Sequence, residues 1–312
     1  MIPADLRPPA LRDELTDLGE AFRAYQRGEP DLARLAELQD RKTAAFRSWA
    51  QINGDPSLAA EAARAEQAAN AARQQHQNRT GQTPGSNGPA VQRLLTPQQG
   101  ENARSVLSYA RHNSPLPGPE ARLLTVMLLL RSARTGDGNI TGQDLISWPL
   151  GDAEKLLTAF VASGWLHLPA TVAEALASRS ENATRITVPS LQPTSTSQGP
   201  FTFGRHTRPK LSGWAQKVVG EKQLRKKKTP AATRLLSLAV ASHAMGDGRL
   251  GILGRGILTI DLAAFCAVPA SELGSLTDQL AQTEWLRDAR TENERLTGTI
   301  HERILHLACP LP

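Results

Sequence analysis

Residues 122–166 and 234–286 carry the same features in the same order. Arg122-Leu123-Leu124 matches Arg234-Leu235-Leu236, and Gly136-Asp137-Gly138 matches Gly246-Asp247-Gly248. Asp144-Leu145 then matches Asp261-Leu262, and Trp165-Leu166 matches Trp285-Leu286. The offset between copies runs 112, 110, 117 and 120, so they differ by small insertions, mainly around Leu250 to Gly256. Each match alone is weak, but four in order point to two copies of one supersecondary unit.

The copies share one physical pattern. A first helix (about 119–135 and 230–245) is apolar nearly all round, which predicts the buried centre of its module. The Gly-Asp-Gly turn ends it, glycine supplying the positive φ of a C-cap. A short extended piece follows, Asn139-Ile140 or Ile257-Leu258. Thr141 stands three residues before Asp144, a capping-box spacing that opens a short second helix. Thr259 is the corresponding expected cap, ahead of Leu262 and Phe265. Turns at 148–151 and 267–269 lead to a third helix carrying Leu156, Leu157, Phe160 and Val161, or Leu273, Leu276 and Leu280. The chain turns extended at Gly164-Trp165 or Glu284-Trp285.

This order resembles the winged-helix superfamily, over roughly 110–190 and 229–308. The most specific part is the third helix running into Gly164-Trp165-Leu166 and Glu284-Trp285-Leu286. The resemblance implies a third helix that enters the major groove and a hairpin that touches the backbone beside it. The expected fold class is mainly α with small β-hairpins: an N-terminal helical hairpin or bundle, then two winged-helix modules. Between Pro169 and Asn182 the first wing departs from the pattern by holding a small helix. Abundant Ala, Arg, Gly and Leu with scarce Lys looks actinobacterial, and no function rests on that likeness.

Charge is concentrated between the copies. From Leu191 to Arg234 there are ten Lys or Arg against one acid, Glu221, and six of the eight lysines lie here. The net charge of +6 therefore comes from this segment. Such a footprint is expected of a phosphate-backbone binder; the alternatives are a solvated basic linker or a transport address. Leu211, Trp214, Ala215, Val218 and Val219 form one apolar helix face, with Ser212 as expected cap and Trp214 as core anchor. Continuing that helix would put Lys222 and Arg225 on the apolar face, which predicts a break at Gly220. Lys222, Arg225, Lys226, Lys227 and Lys228 are then read as a cationic arm on phosphates, assisted by Arg205, Arg208, Lys210 and Lys217. Neither third helix is basic: one offers Asp152, Glu154, Lys155 and Thr158, the other Ser271, Glu272, Ser275, Asp278 and Gln279. The second is the better base reader, through Ser271, Ser275 and Gln279, beside a wing with Arg287, Arg290 and Arg295. Arg179 and Arg185 flank the first wing.

Three helices are expected before this region, two over about 9–28 and from Pro30, and an Ala-rich third from Pro56 to about Gln77. They read either as a hairpin or bundle supporting a homodimer, or as a solvated spacer. The expected division is 1–77 helical arm, 78–100 flexible linker, 101–190 first module, 191–228 basic linker with a short amphipathic helix, and 229–312 second module. No apolar run precedes Asp5 and Arg7, and the run Leu123–Leu130 is too short for a bilayer, so neither signal peptide nor membrane span is expected. Cys266 and Cys309, both in apolar surroundings, fit a reducing, cytoplasmic setting.

No enzyme, cofactor or metal site is expected. Gly246 to Gly251 matches G-x-G-x-x-G by letters, but follows a helix instead of a strand. Tyr25 and Tyr109 leave tyrosine-dependent nicking as the residual catalytic reading. The expected partner is double-stranded DNA, for a transcriptional regulator or a plasmid or mobile-element replication or partition protein. The rivals are a protein-interaction adaptor and a phage structural protein.

Overall fold

A computed structural model describes residues 9–28, 31–80, 91, 93–194, 199–309 and 311. Asp5, Arg7, Pro30 and residues 81–90 and 92 of the expected linker lie outside the described residues, while the linker's ends, 78–80 and 97–100, are helical. The described chain is mainly helical with a few small antiparallel sheets, as expected. It divides between Ala90 and Val91 into two compact units.

The first unit holds α1 (Pro9–Arg27), α2 (Leu32–Asn53) and α3 (Pro56–Thr80). Asp31 caps α2 by accepting from the amides of Ala33 and Arg34, and Gly54, at φ 60°, closes it. On α3, Leu58, Ala62, Ala65, Ala69, Ala72 and His76 are buried, at alternating steps of four and three. That spacing makes a narrow seam, and alanine lets a neighbouring helix come close. The neighbour is α2 of the same chain. Arg73–Asp40 (2.5 Å) and Arg47–Glu66 (3.0 Å) tie these helices in one antiparallel register. Both pairs are substantially exposed, so they specify register more than they stabilise.

The first helix of the second unit is α4 (Pro97–His112), which overlaps the end of the expected linker. Thr96 and Gln99 form its capping box, with Pro97 in the first turn. The first copy then runs α5 (Pro119–Ser132), β1 (Asp137–Ile140), α6 (Gly142–Ser147), α7 (Ala153–Ala162), α8 (Val172–Ala177) and β2 (Thr184–Thr187). Next come α9 (Thr207–Val219) and α10 (Lys222–Lys226). The second copy is α11 (Ala231–Ser242), β3 (Ile257–Leu258), α12 (Thr259–Cys266), α13 (Leu273–Gln282), β4 (Leu286–Glu292) and β5 (Arg295–Ile300).

Sheet order is β3-β5-β4 in the second copy. In the first, β1 pairs with β2, and His167 adds a single bridge to Thr187 on the other side of that strand. The central strand is thus the last in both copies. The first copy has a bridge and helix α8 where the second has the β4–β5 hairpin. Thr141 caps α6 by the expected box, whereas Thr259 gives its hydroxyl to the Glu294 carbonyl and leaves α12 without a side-chain cap. Ser212 likewise lies inside α9, which starts five residues earlier at Thr207.

One hydrophobic cluster runs through both copies. At its centre α5 packs on α11, and α9 packs on both. The connections are exchanged: Arg104 of α4 donates to the Ser242 carbonyl ending α11, while Arg208 of α9 donates to the Arg131 carbonyl ending α5. Arg111 of α4 pairs with Asp261 of α12, and Gln216 of α9 accepts from the Trp148 indole after α6. Each copy's leading helix thus packs on the first helix of its own copy and is also bonded to the other copy. The segment drawn as a linker supplies α9, whose Leu211, Trp214, Ala215, Val218 and Val219 are buried, and the Trp214 indole donates to the Leu307 carbonyl at 2.7 Å. As expected, α9 stops at Gly220.

Candidate nucleic-acid interface

Arginine and lysine do different work in this unit. Five arginines donate to carbonyls at helix C-termini: Arg104, Arg208, Arg122 (to Ala264, α12), Arg234 (to Val219, α9) and Arg303 (to Thr283, α13). A guanidinium presents five donors in a fork, and a cation is favoured at the negative end of a helix. Arg122 and Arg234, the repeat-related pair, share this role. Arg234 is only 5% exposed, and burial, then the charge of Arg225, lower its pKa.

The lysines stay outside. Lys210 and Lys217 are exposed on α9, seven residues apart and hence on one side of the helix. Lys222, Arg225, Lys226, Lys227 and Lys228 are exposed on α10 and its C-terminal turn, while Leu224 between them is fully buried. The arm is a capped, anchored turn. Thr229 N–H bonds to the Leu224 carbonyl and Lys228 N–H to that of Arg225, a Schellman ending that holds Lys228 at φ 51°.

Its anchor is Glu221, the one acid of the basic segment. Glu221 is 8% exposed; Oε2 accepts from the Gln223 and Leu224 amides and from the Trp285 indole. Oε1 accepts from Arg303. Burial opposes its ionisation, but the Arg303 hydrogen bond and the two amides outweigh it and hold the carboxyl below the ordinary glutamate range. The acid thus fixes the base of a cationic surface to the Trp285 corner of the second copy.

The remaining candidates are scattered. Arg205 is exposed beside His206, and Arg208 is half-buried under its α5 bond. Arg287 contacts Glu302 and His301, and Arg295 is half-buried, donating to the Gly256 carbonyl. Arg290 is exposed on β4. Ser271 and Ser275 are exposed, but Gln279 is turned inward, its Oε1 taking the Thr233 hydroxyl at 2.6 Å. Ser275 and Gln279 border a shallow recess with Glu120, Pro230 and Glu272. Arg185 pairs with Asp137, and Arg179 is exposed. Among the described residues, the cations of α10 and its C-terminal turn (Lys222, Arg225, Lys226, Lys227 and Lys228) form an exposed cluster close in sequence and anchored to the core, with Lys210 and Lys217 on α9 before it. The signal sequence reasoning lacked was the pairing of five arginines with distant helix-end carbonyls.

Gly246–Gly251 forms a turn, with an isolated bridge from Ala244 to Leu250 and Gly248 at φ 89°. Cys266 and Cys309 are buried, which pushes both thiols up to about 12. Among the described residues no cluster of three His, Cys, Asp or Glu could hold a metal ion, and no helix is long and apolar enough to cross a membrane. Comparison with protein families, characterised proteins and solved structures finds no match to this chain.

Proposed function

We propose that the second unit is a tandem winged-helix DNA-binding module that holds duplex DNA by its phosphates. It would serve as a transcriptional regulator or as a replication or partition protein of a plasmid or mobile element. The order β3-β5-β4 and its reduced counterpart in the first copy support the winged-helix part of this reading. One observation carries the binding part: five arginines are bonded to helix-end carbonyls and others to acids, whereas seven cations of α9–α10 (Lys210, Lys217, Lys222, Arg225, Lys226, Lys227 and Lys228) face solvent within 19 residues. Phosphate contacts position a protein and bases specify, so this surface gives affinity with little choice of sequence. Base selection falls to Ser271, Ser275 and the β4–β5 wing with Arg290. Self-association through the N-terminal helices belongs to the same proposal, with mass by light scattering as its test.

A gel shift with random-sequence duplex at moderate salt tests the reading. Retardation that weakens as salt rises supports it. A second reading, a protein-interaction adaptor, is favoured by exposed acids on α7 and α13, Glu154 and Asp278, and by Glu272 just before α13. No retardation at low salt would favour that reading instead.

A further inference from the structure

A cavity of about 840 Å³ lies where α4 docks on the second copy, walled by α4, the segment at Pro200-Phe201, the end of α11, β3 and α12. Its size falls within the range of small-molecule sites. The opposite junction, where α9 docks on the first copy, is closed by Trp148, whose indole reaches Gln216 at 2.9 Å. By the offset that relates Asp144 to Asp261, Trp148 corresponds to Phe265, a smaller ring without a donor, and Phe265 lines the cavity. The two junctions are thus related, and this one is left open.

The walls have two chemistries. Phe265, Leu258 and the edge-to-face pair Tyr109–Phe201, 5.4 Å between centroids, make an apolar and aromatic side. Arg104, Arg111 and Arg295 make a cationic one, against a single carboxylate, Asp261. Arg111 holds Asp261 at 2.8 Å, while Arg104 and Arg295 each give one nitrogen to a carbonyl. Each guanidinium has donors beyond those bonds. His243 also lines the cavity; its Nδ1 is 3.0 Å from the Ala239 carbonyl, which leaves Nε2 for a ligand. Burial lowers the pKa of this imidazole, so it serves as a neutral partner.

We infer that this cavity is a binding site for an amphipathic organic anion, a carboxylate on an aromatic or apolar body, held by Arg111 and Arg295 with its body against Phe201 and Phe265. The inference is independent of DNA binding. The site joins α4 of the first copy to α11, β3 and α12 of the second, so an occupant would brace the contact between the copies.

The test uses the full chain with 8-anilinonaphthalene-1-sulfonate as fluorescent probe, displaced by 2-naphthoate or by neutral 2-naphthalenemethanol. The expected result is one saturable site from which the acid displaces the probe about tenfold better than the alcohol, as expected for a hydrogen bond to a charged group. Ser108 is exposed on α4 at the cavity wall, and Ser108→Trp should abolish displaceable binding while the thermal melt is unchanged. Arg111→Gln and Arg295→Gln should each weaken naphthoate and leave the alcohol unaffected, which keeps the test decisive if Ser108→Trp misfolds. Probe binding untouched by Ser108→Trp, or equal displacement by acid and alcohol, would overturn the assignment.

Discussion

Replacing Glu221 should damage the second unit more than removing any exposed charge would. Glu221→Ala removes the side-chain cap of α10, a loss of about 1 kcal/mol for an N-cap. It also orphans the buried Trp285 indole, at about 1–3 kcal/mol for an unsatisfied donor. Arg303 loses its buried partner, but its side chain is 34% exposed and water recovers part of that interaction. The expected destabilisation is about 3–4 kcal/mol, near the lower end for breaking a buried pair. Glu221→Gln keeps an acceptor for the indole and should cost roughly half as much, on the same grounds of cap and donor satisfaction. The pH dependence gives a second readout. Because the folded carboxyl titrates below its ordinary range, its contribution is present above the unfolded pKa and is lost as pH falls through the folded one. Wild type should therefore lose stability below about pH 4 more steeply than Glu221→Gln. Urea unfolding followed by tryptophan fluorescence at pH 7 and between pH 3 and 5 measures both. A loss under about 1 kcal/mol for Glu221→Ala would refute the anchoring role.

Ala267 ends α12 at φ 56° and Lys228 ends α10 at φ 51°. Glycine at either site should raise stability by about 0.5–1 kcal/mol in denaturant melts, since it adopts that conformation without a Cβ penalty. A Cβ on Gly142 would sit 1.9 Å from the Leu176 carbonyl oxygen, so Gly142→Ala should displace α8 and lower the melting temperature by several degrees. Arg104→Ala and Arg208→Ala should each cost about 1–2 kcal/mol, because each ends the capping of a helix in the opposite copy. If only one does so by chemical denaturation, the exchanged arrangement is not balanced as described.

The two copies were legible because their features are local. Apolar periodicity and the Thr141–Asp144 box act within a few residues, and each sits where the spacing puts it, whereas the first helices end before the Gly-Asp-Gly turns, at Ala133 and His243, and Asp137-Gly138 open β1. The break at Gly220 was legible for the same reason. What escaped was tertiary. Helix α4 had a capping-box signature at Thr96 and Gln99, but its apolar residues make sense only against α5, α11 and the C-terminal segment, where Gly100 approaches Cys309. The apolar face of α9 was legible with Trp214 as its anchor, but not that it packs on the first helices of both copies. Nor was arginine separable from lysine, since Arg208 and Arg234 looked as free as Lys226 until their carbonyl partners came from 77 and 15 residues away. Gln279 looked like a base reader by face alone, and Thr233 claims it.

The most direct test of the central claim is the salt dependence of binding to a fluorescein-labelled duplex by anisotropy, for wild type and for Lys226→Ala/Lys227→Ala/Lys228→Ala. Each phosphate contact contributes about −0.9 to the slope of log K against log salt. The account predicts weaker binding to every sequence, with a slope shallower by about 2 to 3 and an unchanged melt. Equal affinity and equal slope for the two proteins would contradict it.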